Sequence, residues 1–376
     1  MINCQEFIEL LINHGFTFFT GIPDSTFKEL IKYISVNDIK GINNNVVCNE
    51  CEAIAFASGY HLATNKVGIV YMQNSGLGKA VNPLTSLCDP VVYSIPILLM
   101  IGWRGEPGKT DAPQHKKMGE ITLSLLDTLQ IPYVILDADL DIVERNLIEA
   151  MDYFDKQKGP FAFIVRRNFF KEYEIGKKPL RKYSLTTNET IRLIMDNLEN
   201  NEIIISTTGY ISREVFEYKE FKKLDHDNSF YNIGAMGSAS SVGLGIALQK
   251  PNRRIIIFDG DGAAIMQMGA FTTIGNHSPS NFVHIIFDNE AHESTGGQPT
   301  NSRTVNFSKI AKASNYKSTL FIQTKKELLN CIERIINGQG PILVHIKINL
   351  SDNRDLKRPG KLPKEYKEEF MKNLIN

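Results

Sequence analysis

The sequence predicts an α/β fold of two doubly wound parallel-sheet domains, on three observations. Apolar runs of strand length alternate with helical stretches along the whole chain, the pattern of successive βα units. Most of these runs stop in glycine or polar residues, as loops at the carboxyl ends of buried parallel strands do. The alternation is interrupted once, at the charged stretch Lys171–Ser184 with Gly176 and Pro179, and then starts again. A chain of 376 residues can bury two cores of this kind. The expected domains are therefore residues 1–170 and 185–376, with 171–184 as linker, a charged tail closing the second domain, and no room for a middle domain.

The first domain is read in order as follows. Cys4–His14 has helical periodicity and stops at Gly15. Phe16–Thr20 is a strand running into Gly21-Ile22-Pro23-Asp24-Ser25, where Asp24 or Ser25 can cap the next helix. Val46 and Val47 lead to Asn49-Glu50 and an alanine-rich helix to Leu62. The strands Lys66–Met72 and Ile95–Ile101 end in Gln73-Asn74-Ser75-Gly76-Leu77-Gly78 and in Gly102-Trp103-Arg104-Gly105-Glu106-Pro107-Gly108. Pro132–Leu136 and Phe161–Val165 complete the sheet.

In the second domain Ile203–Ile205 ends in Thr207-Thr208-Gly209-Tyr210, and Phe230-Tyr231 leads to Asn232-Ile233-Gly234-Ala235-Met236-Gly237. Arg254–Phe258 and Phe282–Phe287 are buried strands, with a helix expected over Ala263–Gly275 between them. Ile342–Ile348 is a last strand, and a final helix is expected after Pro363. No letter-by-letter repeat is visible, but each half presents four polar or glycine-rich loops at strand ends.

Composition narrows the function. Lysine plus arginine equals aspartate plus glutamate, 42 each, so any attraction for an anionic substrate must be local. No basic stripe indicates nucleic acid, and no apolar run is long enough to span a bilayer. Met1-Ile2-Asn3-Cys4-Gln5-Glu6 does not read as a signal peptide, and five cysteines point to a reduced cytoplasm.

The stretch from Asp259 to Ala291 carries the strongest chemical signal. Gly260 and Gly262 let the backbone approach a bulky anion, and Ala263 opens the helix whose N–H groups suit a phosphate. Asp261, and Asn289 28 residues later, add hard oxygen donors at adjacent strand ends. Mg²⁺ takes few protein oxygens and completes its shell with phosphate and water, so the physical reading is a metal-bridged diphosphate.

This arrangement resembles the cofactor motif of thiamine diphosphate enzymes. The resemblance implies the two-domain fold of that family, with 1–170 as the pyrimidine-binding (PYR) domain and 185–376 as the diphosphate-binding (PP) domain. It implies Asp261, Asn289 and the Ala291 carbonyl as metal ligands, and thiamine diphosphate as cofactor, held also by Gly209, Tyr210 and Gly234. The family has Asn where this chain has Asp288. Glu50, followed by an alanine-rich turn and by Gly59-Tyr60, matches the carboxyl group that activates the aminopyrimidine ring; Glu52 has the wrong offset. Met236, 25 residues before Asp261, matches the side chain that bends the cofactor. Cys48-Asn49-Glu50-Cys51 also forms a C-x-x-C that admits a redox role, and Gly76-x-Gly78 lacks the third glycine of a dinucleotide fingerprint.

A narrower likeness is carried by residues 21–25, 73–78, 102–108 and 288–300. It is to the phosphonopyruvate decarboxylases, with the sulfopyruvate decarboxylases close behind. Lys79 stands in place of a small polar residue and Lys357 in place of glycine. The implied reaction converts 3-phosphonopyruvate to phosphonoacetaldehyde and CO₂, in phosphonate (2-aminoethylphosphonate-type) biosynthesis. The substrate is then a small anionic 2-oxo acid. Arg104 offers its phosphonate a bidentate fork. His115 is placed to donate a hydrogen bond or a proton, and Ser25, Thr295 and Gln298 face the cofactor. Arg354 and Arg358 are rival anion ligands. Ser294–Thr300, with Gly296-Gly297 and Pro299, reads as a mobile lid. The family also implies a homodimer or higher homo-oligomer with sites between chains. Two further classes stay open, an acetolactate synthase-type carboligase and a non-catalytic cofactor-binding subunit.

Overall fold

Six strands in the first half of the chain pair in parallel: β1 (Phe18–Gly21), β2 (Asn43–Val46), β3 (Gly68–Gln73), β4 (Ile97–Gly102), β5 (Tyr133–Ile135) and β6 (Phe161–Val165). Their spatial order is β2-β1-β3-β4-β6-β5. Both β4 and β6 are buried at every position, which is why they read as unbroken apolar runs. Helices α1 (Cys4–Asn13), α2 (Lys28–Val36), α3 (Glu50–Thr64), α4 (Leu77–Ser86), α5 (Pro113–Thr128) and α6 (Leu140–Gln157) connect the strands. Phe7 and Leu11 of α1, Ile31 of α2 and Leu147 of α6 share one buried cluster with Phe19, Leu98 and Phe163 of the sheet. The structure, a computed structural model, describes residues 1–37, 39–174, 182–351, 356–357 and 359–375.

The second half repeats the plan. Its strands are β7 (Ile203–Ser206), β8 (Ser229–Tyr231), β9 (Ile255–Gly260), β10 (Phe282–Asp288), the short β11 (Ala291–His292) and β12 (Gln298–Pro299), β13 (Ser318–Ile322) and β14 (Ile342–Lys347). Six of them form a parallel sheet in the order β13-β14-β10-β9-β7-β8, while β11 and β12 pair as a separate antiparallel hairpin. Counted within its own half and read from the β8 edge, this order is the same as that of the first sheet. The helices are α7 (Thr187–Met195), α8 (Tyr210–Lys222), α9 (Ala239–Gln249), α10 (Asp261–Met266), α11 (Ala270–His277), α12 (Phe307–Ala313), α13 (Lys325–Asn337) and α14 (Pro363–Ile375). The chain divides into two compact units, Met1–Lys178 and Pro179–Asn376.

The α/β class and both parallel sheets follow the sequence reading; several local expectations do not. The helix expected over Ala263–Gly275 is broken into α10 and α11. Gln267 leaves helical geometry at φ −128° and ψ 41°, and Gly269, a weak helix former, starts the second segment. Neither Asp24 nor Ser25 caps α2, whose cap position is Phe27 without a side-chain bond; Asp24 instead accepts the Thr26 N–H at 2.8 Å. The edge strand β13 was not expected, and the edge strand β2, expected only from Val46 and Val47, begins at Asn43. Most of β2 is asparagine, and β13 is only half-buried, so neither shows the apolar run of a central strand. Among the described residues no helix is long and apolar enough to cross a membrane. Arg354 and Arg358 lie outside the described residues.

Candidate active site

Strand order reverses between β1 and β3 in the first unit and between β7 and β9 in the second. Loops at the carboxyl ends of such strands form the ligand crevice of open α/β sheets. The residues singled out from sequence sit on these loops and their neighbours.

In the second unit Gly260 ends β9 and Asp261 opens α10. Asp261 is buried, its Oδ2 accepts from the Thr300 hydroxyl, and burial followed by the nearby Asp288 carboxylate raises its pKa. Asn289, just past β10, accepts the Ala291 N–H on Oδ1 at 3.0 Å and donates from Nδ2 to Glu293 at 2.9 Å, which holds its amide in one orientation. A carboxylate, an amide oxygen and a main-chain carbonyl are the donors Mg²⁺ prefers. Among the described residues no group of three or more His, Cys, Asp or Glu side chains converges on a metal position, so the proposed set depends on phosphate and water to complete it. The six residues of α10 leave a smaller helix dipole for the diphosphate than the long helix expected from sequence.

Asp288 replaces the family's Asn without leaving a bare charge. His345 Nε2 and Lys347 Nζ both lie 2.7 Å from its Oδ2, and the Ser302 hydroxyl donates to Oδ1 at 2.8 Å. Burial acts to raise its carboxyl, but the His345 and Lys347 contacts hold it low. Glu290 turns the backbone at φ 61° and anchors the loop to β14 and to residues 182–183 through Tyr183 Oη at 2.5 Å and Lys182 and Lys347 at 3.0 Å each. Burial opposes ionisation of Glu290, yet these hydrogen bonds lower it to about 2.

Gly209 stands at φ 97° before α8, with Tyr210 as the first helical residue and Arg213 over its ring at 5.6 Å. Gly234 is at φ 73°, and Met236 is half-buried rather than a member of the core. A side chain at 262 would come within 2.9 Å of the His292 ring, whereas at 260 a Cβ meets only Ile211 at 3.7 Å. Ala263 is buried behind them. Sequence reasoning passed over His292, Thr300 and Thr207. The Thr207 hydroxyl, at the end of β7, is buried without a hydrogen-bond partner among the described residues. The stretch expected as a lid is a closed hairpin: Thr295 Oγ1 bonds Gln298 Oε1 and Gln298 Nε2 bonds the Thr295 carbonyl, each at 3.1 Å. Gln298 is buried, so its amide serves this turn.

In the first unit Glu50 opens α3 with Asn49 as cap. Its carboxyl is buried, and Oε2 has no hydrogen-bond partner among the described residues, though Lys79 Nζ lies 3.7 Å away. An orphaned carboxylate oxygen suits a ring nitrogen or amine of a ligand. Cys48 is half-buried and Cys51 exposed, and neither is in a disulfide.

Arg104, expected to offer a bidentate fork to an anion, already uses that fork inside the protein. Its Nε and Nη2 grip Asp111 at 2.8 and 2.6 Å, and Nη1 donates to Ser25 Oγ at 2.7 Å. Asp111 hydrogen bonding raises the guanidinium further above its ordinary pKa. The same contacts join the loops after β1, β3 and β4, since Gln73 Nε2 reaches Asp24 at 2.6 Å and Asn74 Nδ2 reaches the Arg104 carbonyl at 2.8 Å. Thus Asp111, 7 residues downstream, neutralises the charge expected to be free for a phosphonate. His115 lies in the first turn of α5, and its carbonyl would be 2.1 Å from any Cβ at Gly105.

Comparison with known proteins matches both halves. The thiamine pyrophosphate enzyme N-terminal TPP binding domain covers residues 4–125 and the C-terminal TPP binding domain residues 207–346. The chain is also 32% identical over 385 residues to a phosphonopyruvate decarboxylase of Streptomyces viridochromogenes, spanning 98% of this chain and 94% of that one. The chain belongs to the thiamine pyrophosphate (thiamine diphosphate) enzyme family. Another family member similar to it is the phosphonopyruvate decarboxylase of Streptomyces hygroscopicus, at 31% identity over 98% of this chain and 93% of that one. A sulfopyruvate decarboxylase of Methanosarcina acetivorans is 24% identical over 91% of this chain and 90% of that one. That full-length match means that carrying both halves in one chain does not separate phosphonate from sulfonate enzymes. Among solved structures, benzoylformate decarboxylase from Polynucleobacter necessarius aligns with 96% of this chain and all of that one, at 12% identity and a TM-score of 0.37.

Proposed function

We propose that this chain decarboxylates 3-phosphonopyruvate to phosphonoacetaldehyde and CO₂, using thiamine diphosphate and Mg²⁺, as a step in the biosynthesis of 2-aminoethylphosphonate-type phosphonates. The observation that carries the reading is the end-to-end similarity to phosphonopyruvate decarboxylases, at 31–32% identity against 24% for the full-length sulfonate relative.

When bound, thiamine diphosphate supplies the electron sink for the pair left as CO₂ departs. Asp261, Asn289 and the Ala291 carbonyl are assigned to Mg²⁺; Gly209, Tyr210, Gly234, Gly260, Gly262 and Ala263 are assigned to the cofactor, with Met236 as the wedge beneath it. Glu50 is assigned to hydrogen-bond the aminopyrimidine ring and promote its imino tautomer, and its buried Oε2, without a hydrogen bond among the described residues, supports that role. Ser25, Arg104, His115, Thr295 and Gln298 are assigned to the substrate side. Arg104 meets the phosphonate through Nη1, the nitrogen that faces the Ser25 hydroxyl and not Asp111. Two chains bring the cofactor halves together in a homodimer or larger homo-oligomer, and the five cysteines, none in a disulfide, suit the cytoplasm.

A sulfopyruvate decarboxylase is the second reading, favoured by a 40% identity over 125 residues to a sulfopyruvate decarboxylase beta subunit of Methanocaldococcus jannaschii. A product assay with phosphonopyruvate, sulfopyruvate and pyruvate side by side decides between them. Phosphonoacetaldehyde at the highest kcat/KM is expected. Preference for sulfopyruvate transfers the chain to the second reading, acetolactate from pyruvate marks a carboligase, and cofactor binding without any product marks a non-catalytic subunit.

A further inference from the structure

Gly76 ends the short 3₁₀ turn Asn74–Gly76 and occupies the cap position of α4, at φ −77° and ψ −18°. Any residue adopts those angles, so the backbone does not require glycine there. What requires it is space. A Cβ at 76 would lie 2.4 Å from Cγ and Oε1 of Glu50 and 2.5 Å from its Cδ, well inside van der Waals contact. The neighbouring Gly78 has nothing within 4 Å of its Cβ position, so close approach is a property of one glycine of the pair. Lys79, later on the same helix, places its Nζ 3.7 Å from Oε2.

We infer that Gly76 is a positioning residue for Glu50: the volume that its side chain would fill is the seat of the Glu50 carboxyl. The inference rests on the reading of Glu50 as the activating acid. The obstructing atoms all belong to one flexible side chain and none to backbone, so an added methyl group displaces the carboxyl and leaves the fold standing. Oε2 then moves away from the buried position beside Lys79 in which it accepts no hydrogen bond among the described residues. A displacement of this kind, on the order of 1 Å, is enough to cost about 100-fold in rate.

The test compares Gly76→Ala, Glu50→Gln and the double variant in the full chain. Four quantities are measured: kcat, cofactor affinity at fixed Mg²⁺, thermal stability, and hydrogen–deuterium exchange at the thiazolium carbon of bound cofactor. Gly76→Ala should lower kcat and the exchange rate together by about 100-fold. Cofactor affinity and stability should stay near wild type, and there should be no further loss in the Glu50→Gln background. Wild-type exchange and kcat in Gly76→Ala overturn the inference while Glu50→Gln stays inactive. So does a loss that multiplies with that of Glu50→Gln, because Gly76 would then act independently. Normal turnover in Glu50→Gln instead removes the reading on which the inference rests. If Gly76→Ala does not fold, Glu50→Ala is added to it: recovery of a folded protein assigns the space to Glu50, and failure to recover overturns the inference.

Discussion

Glu50 and Glu52 stand two residues apart in the first turn of α3 and do different work. Glu52 Oε2 accepts the Cys48 N–H at 2.8 Å while its own N–H donates to the Asn49 side chain at 3.0 Å, so Glu52 ties the residues before the helix to its first turn. Glu50 Oε2 is left buried and without a hydrogen-bond partner among the described residues. Glu52→Ala should therefore cost stability, about 1 kcal/mol by urea denaturation, and retain most of kcat. Glu50→Gln should bind cofactor normally and lose kcat by about 10²- to 10⁴-fold, the range of a positioned acid or base; near-normal kcat there would sink the assignment. Asp261→Ala should weaken Mg²⁺ and cofactor binding together, because one ion bridging protein and diphosphate links the two affinities. Calorimetry finding unchanged cofactor affinity at fixed Mg²⁺ would remove Asp261 from the metal set.

At the scale of elements, the loops after β1, β3 and β4 are clamped through Arg104 and Asp111, whose side chains are 11% and 7% exposed. Burial acts to raise the Asp111 carboxyl, but Arg104 and the N–H groups of Ala112 and Gly105 hold it well below the ordinary carboxylate range. A carboxyl lowered on folding binds fewer protons in the native state. Its contribution is complete above the unfolded pKa of about 4 and disappears as pH falls through the lower folded value. Asp111→Asn should thus cost about 3 kcal/mol at pH 7 and flatten the acid limb of the stability curve. An unchanged acid limb in denaturation at pH 7 and pH 3 would show that the pair is not coupled to folding. The same variant should lower kcat/KM for phosphonopyruvate and pyruvate alike. Arg104→Ala should add a loss specific to phosphonopyruvate, roughly 10-fold or more for one charge-assisted contact. Equal losses on both substrates would confine Arg104 to the clamp. The cap expected from Asp24 or Ser25 was legible only as polar loop chemistry, since Gln73 and Arg104, which also bind these two side chains, come from the ends of other strands.

At the scale of the whole molecule, two units with one strand order, each with its own sheet, account for relatives made as two proteins. The sulfopyruvate decarboxylase beta subunit of Methanococcus maripaludis covers 50% of this chain and 96% of itself, and the alpha subunit covers 35% of this chain. Cutting the chain between residues 174 and 182 and co-expressing the halves should restore decarboxylation that neither half performs alone. Activity in one half, or none in the mixture of folded halves, would contradict the assignment of Glu50 and Asp261 to one reaction.

The sequence by itself determined the class, both parallel sheets and the loops on which the chemistry lies. Those features follow from local pattern: apolar runs mark strands buried on both faces, and glycine with acidic or amide residues marks their carboxyl ends. Edge strand β13 and the asparagine part of β2 escaped because a half-exposed strand carries little apolar signal. Only the tertiary structure decided what each side chain meets. Asp111 neutralises Arg104, His345 and Lys347 compensate Asp288, and the missing side chain of Gly76 makes room for Glu50 26 residues earlier. The physical reason is that charge pairing and excluded volume depend on distance in space, and parallel crossovers bring together loops whose separation along the chain carries no trace of that meeting.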